Sequence, residues 1–185
     1  TLQLRGSAGQ SLGAFAMGGL KIVVDGDAND YVGKGLSGGT IIIRPAASSQ
    51  LRSQDNTIIG NTVLYGATSG KLFAAGQSGE RFAVRNSGAQ AVVEGCGTNG
   101  CEYMTGGMVV ILGNVGDNFA AGMTGGMAFV LDPDRSFTHH INDEHIAYNK
   151  IESSYWEAIC RSLIKEHAAE TGSSFAEDLL IHWDL

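Results

Sequence analysis

The sequence has few charges and few cysteines, and each shortage excludes a class of protein. Charged residues make up 17% of the 185 residues, and the net charge is −7 at pH 7 with no basic run. Nucleic acid and anionic membranes are therefore poor candidates as partners. No apolar run approaches the ~18 residues that a transmembrane helix needs, and we find no secretory signal pattern. With 43% hydrophobic residues, the composition indicates a globular chain.

The three cysteines are an odd count, which argues against a disulfide framework and indicates reduced thiols in a cytoplasmic setting. Cys96 and Cys101 are separated by four residues, no second pair follows, and Cys160 is distant. A zinc or iron–sulfur site normally needs three or four ligands, so buried free thiols are the better prediction. The first residue is Thr1 and not methionine, so we expect a fragment or a processed product.

Glycine is abundant, at 27 residues, and it belongs to a phrase that recurs along the chain. The copies are GGLKIVV (18–24), GGTIII (38–43), TSGKLFA (68–74), NSGAQAVV (86–93), TGGMVVIL (105–112) and TGGMAFVL (124–131). Their last glycines stand at 19, 39, 70, 88, 107 and 126, so four of the five spacings are 18 to 20 residues. The exception, 31 residues, contains the small and polar segment 45–56, which predicts a surface loop. A period near 20 residues is typical of a solenoid.

Each phrase is a glycine turn followed by apolar, mostly β-branched residues, which predicts a strand. A leucine-rich repeat would need regular leucines and a helical segment in each copy, and neither is found. The pattern therefore predicts an all-β solenoid, a right-handed parallel β-helix of about 18–20-residue coils over residues 1–132. The segment Asp132–Asp134 ends the repeat.

The strands predict a wall that is apolar on both faces. Counted from the last glycine, the third residues are Ile22, Ile42, Phe73, Ala91, Val110 and Phe129, and the fourth are Val23, Ile43, Ala74, Val92, Ile111 and Val130. Neighbouring residues on a strand face opposite sides. One face then lines the solenoid, and the other has to be covered, as is usual in parallel sheets.

Residues 133–185 predict a helical C-terminal tail that caps the solenoid or folds onto it. Capping boxes at Ser154 and Ser174 predict two short helices, with Gly172 closing the first. The apolar stripes are Trp156, Ile159, Cys160, Leu163 and Ile164 in one helix and Leu179, Leu180 and Trp183 in the other. A third, shorter helix is predicted over Asn142–Ile151. Because two short helices are too few to cover every coil, we expect the isolated chain to self-associate or to expose an apolar strip.

The motifs that suggest chemistry are better explained by turns. The two dinucleotide-type fingerprints, at 33–38 and 95–100, and the G-x-S-x-G pattern at 35–39 lack the helix that each function requires. The polar segment 139–145, with three histidines and two acids, has no fixed ligand spacing, so a linker is the better interpretation. Glu80, Arg81 and Arg85 indicate paired surface charges or a contact to another domain. Five asparagines predict side-chain bonds that stabilise turns: Asn61, Asn86, Asn99, Asn114 and Asn118. We predict no catalytic, cofactor-binding or metal-ligating residue in this chain.

Several long phrases give the chain a family resemblance. They are GSAGQS (6–11), GDANDYVGKGLSGG (26–39), GERFAVRNSGA (79–89), GCEYMTGG (100–107) and NFAAGM (118–123). In these phrases and in the order in which they occur, the chain resembles the C-terminal domain of the glutamate synthase large subunit. Its tail from Ile164 to Trp183 is similar to that family's terminal helices. Thr98 and Asn99 stand where family members often carry Asp-His, so no role is transferred to them.

The resemblance implies a structural β-helix inside a nitrogen-assimilating oxidoreductase of the cytoplasm. In that family a glutaminase domain releases ammonia from L-glutamine, and an FMN-binding barrel with a 3Fe–4S cluster uses it to make L-glutamate from 2-oxoglutarate. Electrons come from NADPH or ferredoxin. The β-helix packs between these domains and carries no catalytic residue, so the expected partners are the glutaminase and FMN-barrel domains or subunits. The alternative is a related β-helix subunit of another enzyme, such as formylmethanofuran dehydrogenase or N-methylglutamate synthase.

Overall fold

A computed structural model of the chain describes residues 1–141 and 146–183. Nine strands and two helices lie in this part of the chain. The strands are β1 (Leu2–Ala8), β2 (Lys21–Ala28), β3 (Ser37–Arg44), β4 (Thr57–Ile59), β5 (Ser69–Ala74), β6 (Gln77–Ser78), β7 (Ser87–Val93), β8 (Thr105–Ile111) and β9 (Gly125–Val130). The helices are α1 (Ser154–Thr171) and α2 (Ser174–Ile181), and short 3₁₀ turns lie at Ser53–Asp55 and Phe137–His139.

Seven of the strands stack in one parallel wall, in the order β1-β2-β3-β5-β7-β8-β9, and each contributes one coil. The short strands β4 and β6 form a second side of the solenoid, where Ala28 pairs with Ile59 and Ile59 pairs with Ser78. The loop at 45–56 lies between the coils of β3 and β5, as its composition indicates. The predicted parallel β-solenoid is confirmed.

The wall is apolar on both faces, but its columns differ from the predicted ones. Val23, Ile42, Phe73, Val92, Val110 and Phe129 form one column of paired residues, which packs against the helices. The residues on either side of this column, such as Ile41 and Ile43, point into the solenoid. Counting from the glycine therefore misplaced Ile22 and Ala91 by one position. For Ala91 the cause is a register shift between Ser87 and Gln90, which puts one more residue between the glycine and the paired part of β7.

The third side of each coil is a left-handed turn, a five-residue segment in which every second residue has positive φ. These segments are 11–15, 31–35, 62–66, 81–85, 99–103 and 118–122. In one of them, Arg81 N and Arg85 N donate to carbonyls of the next coil, at 2.8 and 2.9 Å, while Ala83 N donates to Val63 O of the preceding coil at 2.9 Å. These inter-coil bonds offset the cost of left-handed backbone at residues other than glycine.

Helix α1 lies across the wall and covers it. Its 18 residues are about 27 Å long, and the six strands from β2 to β9 span about 24 Å at the usual spacing. Its start contacts the last coil, where the rings of Trp156 and Phe129 are 6.3 Å apart. Its end reaches β2, where Glu170 is paired with Lys21 at 2.7 Å. The column of paired residues from Val23 to Phe129 is buried along its whole length. The prediction that the tail helices leave an apolar strip on this wall is therefore wrong.

Residues 131–141, which follow β9, cover the C-terminal end of the solenoid. Phe119 pairs with Ile141, and the ring of Phe137 packs edge-on against Phe119 at 5.7 Å. The predicted third helix is not found: residues 146–151 are irregular, and Asn142–His145 lie outside the described residues. Helices α1 and α2 begin one residue earlier than expected, with Ser153 and Ser173 as N-caps, while Gly172 ends α1 in the left-handed region as predicted.

Candidate functional site

The most unusual group of side chains is a buried polar cluster where α1 and α2 meet the wall. Glu94 follows β7, His167 lies on α1, and Ser173 is the N-cap of α2. The His167 and Glu94 side chains are fully buried, and Ser173 is 4% exposed. None of these residues was singled out in the sequence, because a lone glutamate after an apolar strand gives no pattern.

The cluster converges on one oxygen of Glu94. His167 Nε2 lies 3.2 Å from Glu94 Oε1, and Ser173 Oγ donates a short hydrogen bond to the same oxygen. Ser173 Oγ in turn accepts a hydrogen bond from Ala176 N at 3.1 Å and so caps α2. Thr171 Oγ1 donates to His167 O at 2.6 Å, which fixes the end of α1. The four side chains join both helices to β7.

This arrangement contains the residue types of a hydrolytic triad but cannot act as one. In a triad the base lies between the nucleophile and the carboxylate. Here the carboxylate lies between serine and histidine, and all three side chains are closed off from solvent. The cluster is therefore a structural fastening of the helices to the wall.

The three cysteines are buried free thiols, as predicted. Burial raises the pKa of Cys96 to about 12 and that of Cys160 to about 11, and it raises the pKa of Cys101 well above the usual range. Cys96 and Cys101 lie in the solenoid interior, while Cys160 lies beneath α1 on the opposite face of the wall. Three thiols could formally ligate a 3Fe–4S cluster, but these three are separated by a β-sheet and do not fit one.

The motifs that suggested chemistry lie in turns. Gly33 and Gly35 have φ of 66° and 62° in the left-handed turn at 31–35, and β3, not a helix, follows. Within residues 1–141 and 146–183, no three histidine, cysteine or acidic side chains are grouped so that they could hold a metal. His140 Nδ1 lies 2.8 Å from Asp117 Oδ1, and Asp143, Glu144 and His145 lie outside the described residues.

Of the five asparagines expected to stabilise turns, Asn61 and Asn86 make the predicted side-chain bonds among the described residues. The Asn61 side chain accepts from Glu80 N, and the Asn86 side chain bonds both backbone groups of Ala89. Arg81 pairs with Glu102 at 2.9 Å. The guanidinium of Arg85 lies 5.9 Å from the ring of Tyr103 in the next coil.

An open groove of about 1150 Å³ runs between the 45–56 loop, the ends of β1 and β2 and the start of α2. Its walls carry both signs of charge, including Arg5, Arg44, Asp25 and Asp27. Arg44 Nε donates to Asp25 Oδ1 at 2.7 Å, and this bond, with a second from Gln3, lowers the pKa of Asp25. Because Arg44 is already paired, the groove has no concentrated charge for a ligand.

A parallel β-solenoid whose coils stack through left-handed turns and whose outer wall is sealed by its own helix defines the class of the protein. No described helix is both long enough and apolar enough to span a bilayer.

The comparisons identify the family. The model of the GXGXG motif family matches residues 1–185, and the chain belongs to this family. It is 68% identical over 183 residues to the NADPH glutamate synthase large chain of Azospirillum brasilense and 53% identical over 184 residues to that of Bacillus subtilis (strain 168). It is 51% identical over 183 residues to the ferredoxin-dependent glutamate synthase of Pyropia yezoensis. In each case 99% of this chain is covered but about 12% of the relative, so the match is to one domain of a larger protein.

Proposed function

We propose that this chain is the scaffold and interaction domain of a glutamate synthase, the cytoplasmic enzyme of nitrogen assimilation that makes L-glutamate from L-glutamine and 2-oxoglutarate. The observation that carries the proposal is the match of almost the whole chain to about 12% of glutamate synthase large chains. In this proposal the domain supports a glutaminase domain and an FMN-binding barrel elsewhere in the large chain, and residues 1–132 and 133–185 are its solenoid and its tail. FMN and the 3Fe–4S cluster belong to those other regions.

The side chains support a mechanical role. The side chains of the types most often used in catalysis are Glu94, His167 and the three thiols, and all of them are buried. They stabilise the packing between the wall and the helices. The similarity extends to relatives named for NADPH and for ferredoxin, so a domain of this kind is compatible with either electron donor. The identity to glutamate synthases also favours this function over a subunit of formylmethanofuran dehydrogenase or N-methylglutamate synthase.

A hybrid large chain tests the proposal. In it, this chain replaces the matching region of the Azospirillum brasilense large chain; a second protein has that region deleted. We expect the hybrid to form close to one glutamate by reductive synthesis for each glutamine hydrolysed, and the deleted protein to hydrolyse glutamine without that coupling. Full coupling in the deleted protein would contradict the proposed role.

A further inference from the structure

The chain covers most of its own apolar surface, and one exposed group stands out. Helices α1 and α2 seal the outer wall, and residues 131–141 cover the C-terminal end. At the first two coils, however, four large apolar side chains remain open to solvent. They form what we call the N-terminal corner: Phe15 (65% exposed), Met17 (70%), Leu20 (41%) and Tyr31 (38%).

Backbone and ring contacts link Phe15 to Tyr31 through Lys34, and they link Met17 to Leu20. Phe15 N donates to Lys34 O at 2.8 Å, and Leu20 N donates to Met17 O at 3.2 Å. The Phe15 ring lies over Gly35, where a Cβ would come within 2.5 Å of the ring. The ammonium of Lys34 is 5.8 Å from the centre of the Tyr31 ring. The four side chains therefore lie together on the first two coils, and the cation of Lys34 lies next to Tyr31.

The backbone holds two of these rings in place. Phe15 and Tyr31 have φ of 58° and 62°, a left-handed conformation that bulky side chains disfavour. At the position of Phe15 in later coils, three left-handed turns carry glycine: Gly35, Gly66 and Gly122. The turn therefore accepts glycine, and the phenylalanine at the corner adds an exposed aromatic ring that the solenoid does not need for its own packing.

The size of the corner indicates its occupant. If each side chain exposes about 100 Å², the four present about 400 Å², roughly half of what each partner contributes to a stable complex of separate proteins. A second copy of this chain would bind weakly through so small an area. A surface tethered in the same polypeptide has a high effective concentration, so a small contact suffices. The relatives are such polypeptides, and this chain matches only 12% of their length.

We propose that the N-terminal corner docks onto an apolar surface with an acidic rim, located elsewhere in the same large chain. Lys34 provides the charge complementarity, because no described carboxylate is paired with it. This inference rests on the proposed scaffold function and adds the surface through which the scaffold makes contact.

Hydroxyl-radical footprinting of the hybrid large chain and of the isolated 185-residue chain tests the proposal, because it reports the solvent exposure of Met, Phe, Tyr and Leu side chains. We expect the oxidation rates of Met17 and Phe15 to fall at least threefold in the hybrid. Leu51, 67% exposed on the 45–56 loop, is the matched control and should keep its rate.

The outcomes separate the two proposals. Protection elsewhere on the chain but not at Met17 and Phe15 would overturn the docking surface and leave the scaffold function standing. No protection anywhere would overturn both. Protection of the corner in the isolated chain that increases with concentration would identify a second copy as the occupant and contradict the proposal.

A pair of charge substitutions gives an independent check. Met17→Glu and Leu51→Glu each place a carboxylate at a similarly exposed position, so neither should change the unfolding of the isolated chain. In the hybrid, we expect Met17→Glu to raise the oxidation rate of Phe15 towards its value in the isolated chain and Leu51→Glu to leave it unchanged. Equal rates in the two variants would contradict docking at the corner.

Discussion

Removing the carboxylate of Glu94 should detach the helices from the wall. In Glu94→Ala, His167 Nε2 and Ser173 Oγ both lose their buried acceptor. Removing one member of a buried, hydrogen-bonded pair typically costs about 3–5 kcal/mol, whereas a whole domain is stable by only about 5–15 kcal/mol. We therefore expect the free energy of unfolding to fall by about 3 kcal/mol or more.

The matched control is Glu166→Ala on the same helix. Glu166 is paired with Lys71 at 2.7 Å, but both side chains are more than a third exposed, and such pairs contribute about 0–1 kcal/mol. Urea denaturation followed by tryptophan fluorescence measures the difference, because Trp156 and Trp183 belong to the helical tail. If the free energies of unfolding of the two variants differ by less than about 1 kcal/mol, the cluster does not fasten the helices.

The conservative variant Glu94→Gln refines the test. The amide keeps the shape of the side chain and one acceptor oxygen, but it has no charge. It also adds two donors to a cluster that already supplies donors. We expect its stability to lie between that of the original chain and that of Glu94→Ala. A Glu94→Gln variant as stable as the original would show that the hydrogen-bond geometry, and not the charge, is what matters.

Three further predictions concern the turns, the thiols and the cofactors. Gly107 has φ of 86°, and a Cβ there would lie 2.3 Å from Ala89 O, whereas a Cβ at Gly9 would meet no atom within 4 Å. We therefore expect Gly107→Ala to lower the denaturation midpoint clearly and Gly9→Ala to leave it almost unchanged. Equal midpoints would disprove the turn argument. Burial raises the pKa of Cys160 from 9.0 to about 11, so the thiol loses its proton more easily in the unfolded chain, and the free energy of unfolding should fall as the pH rises from about 9 to 11. A Cys160→Ala variant should show a smaller fall over this pH range. An unchanged fall in that variant would contradict the prediction. The isolated chain should show no flavin or iron–sulfur absorbance, and a near-stoichiometric band would refute the assignment of the cofactors to other regions.

The repeat in the sequence was sufficient to predict the solenoid but not its registers. Glycine turns recur because each coil has to bend at the same place, so the period survives even when the residues change. The number of residues between the turn and the strand varies by one, as at Ser87–Gln90. For this reason Ile43, one candidate for an outward position, points into the core, while Val92 points outward beneath α1.

The left-handed turns and the buried polar end of α1 were missed for a related reason. Leu64, Ala83 and Ala120 have positive φ although nothing in their chemistry favours it; the inter-coil hydrogen bonds impose it. The apolar stripe of α1 was followed only to Ile164, because His167 and Thr171 are polar. They are buried by their bonds to Glu94 and to the backbone, and such long-range pairing is not visible in a single sequence.

The central claim is that this chain is an interaction domain of a glutamate synthase large chain, and its binding to the rest of that chain tests the claim most directly. The 19.3 kDa chain is mixed with the Azospirillum brasilense large chain lacking the matching region, whose glutaminase activity shows that it is folded, and the masses are measured by light scattering. We predict a one-to-one complex and a recovery of the coupling between glutamine hydrolysis and glutamate formation. Two separate species, with no change in coupling at saturating concentrations, would contradict the claim.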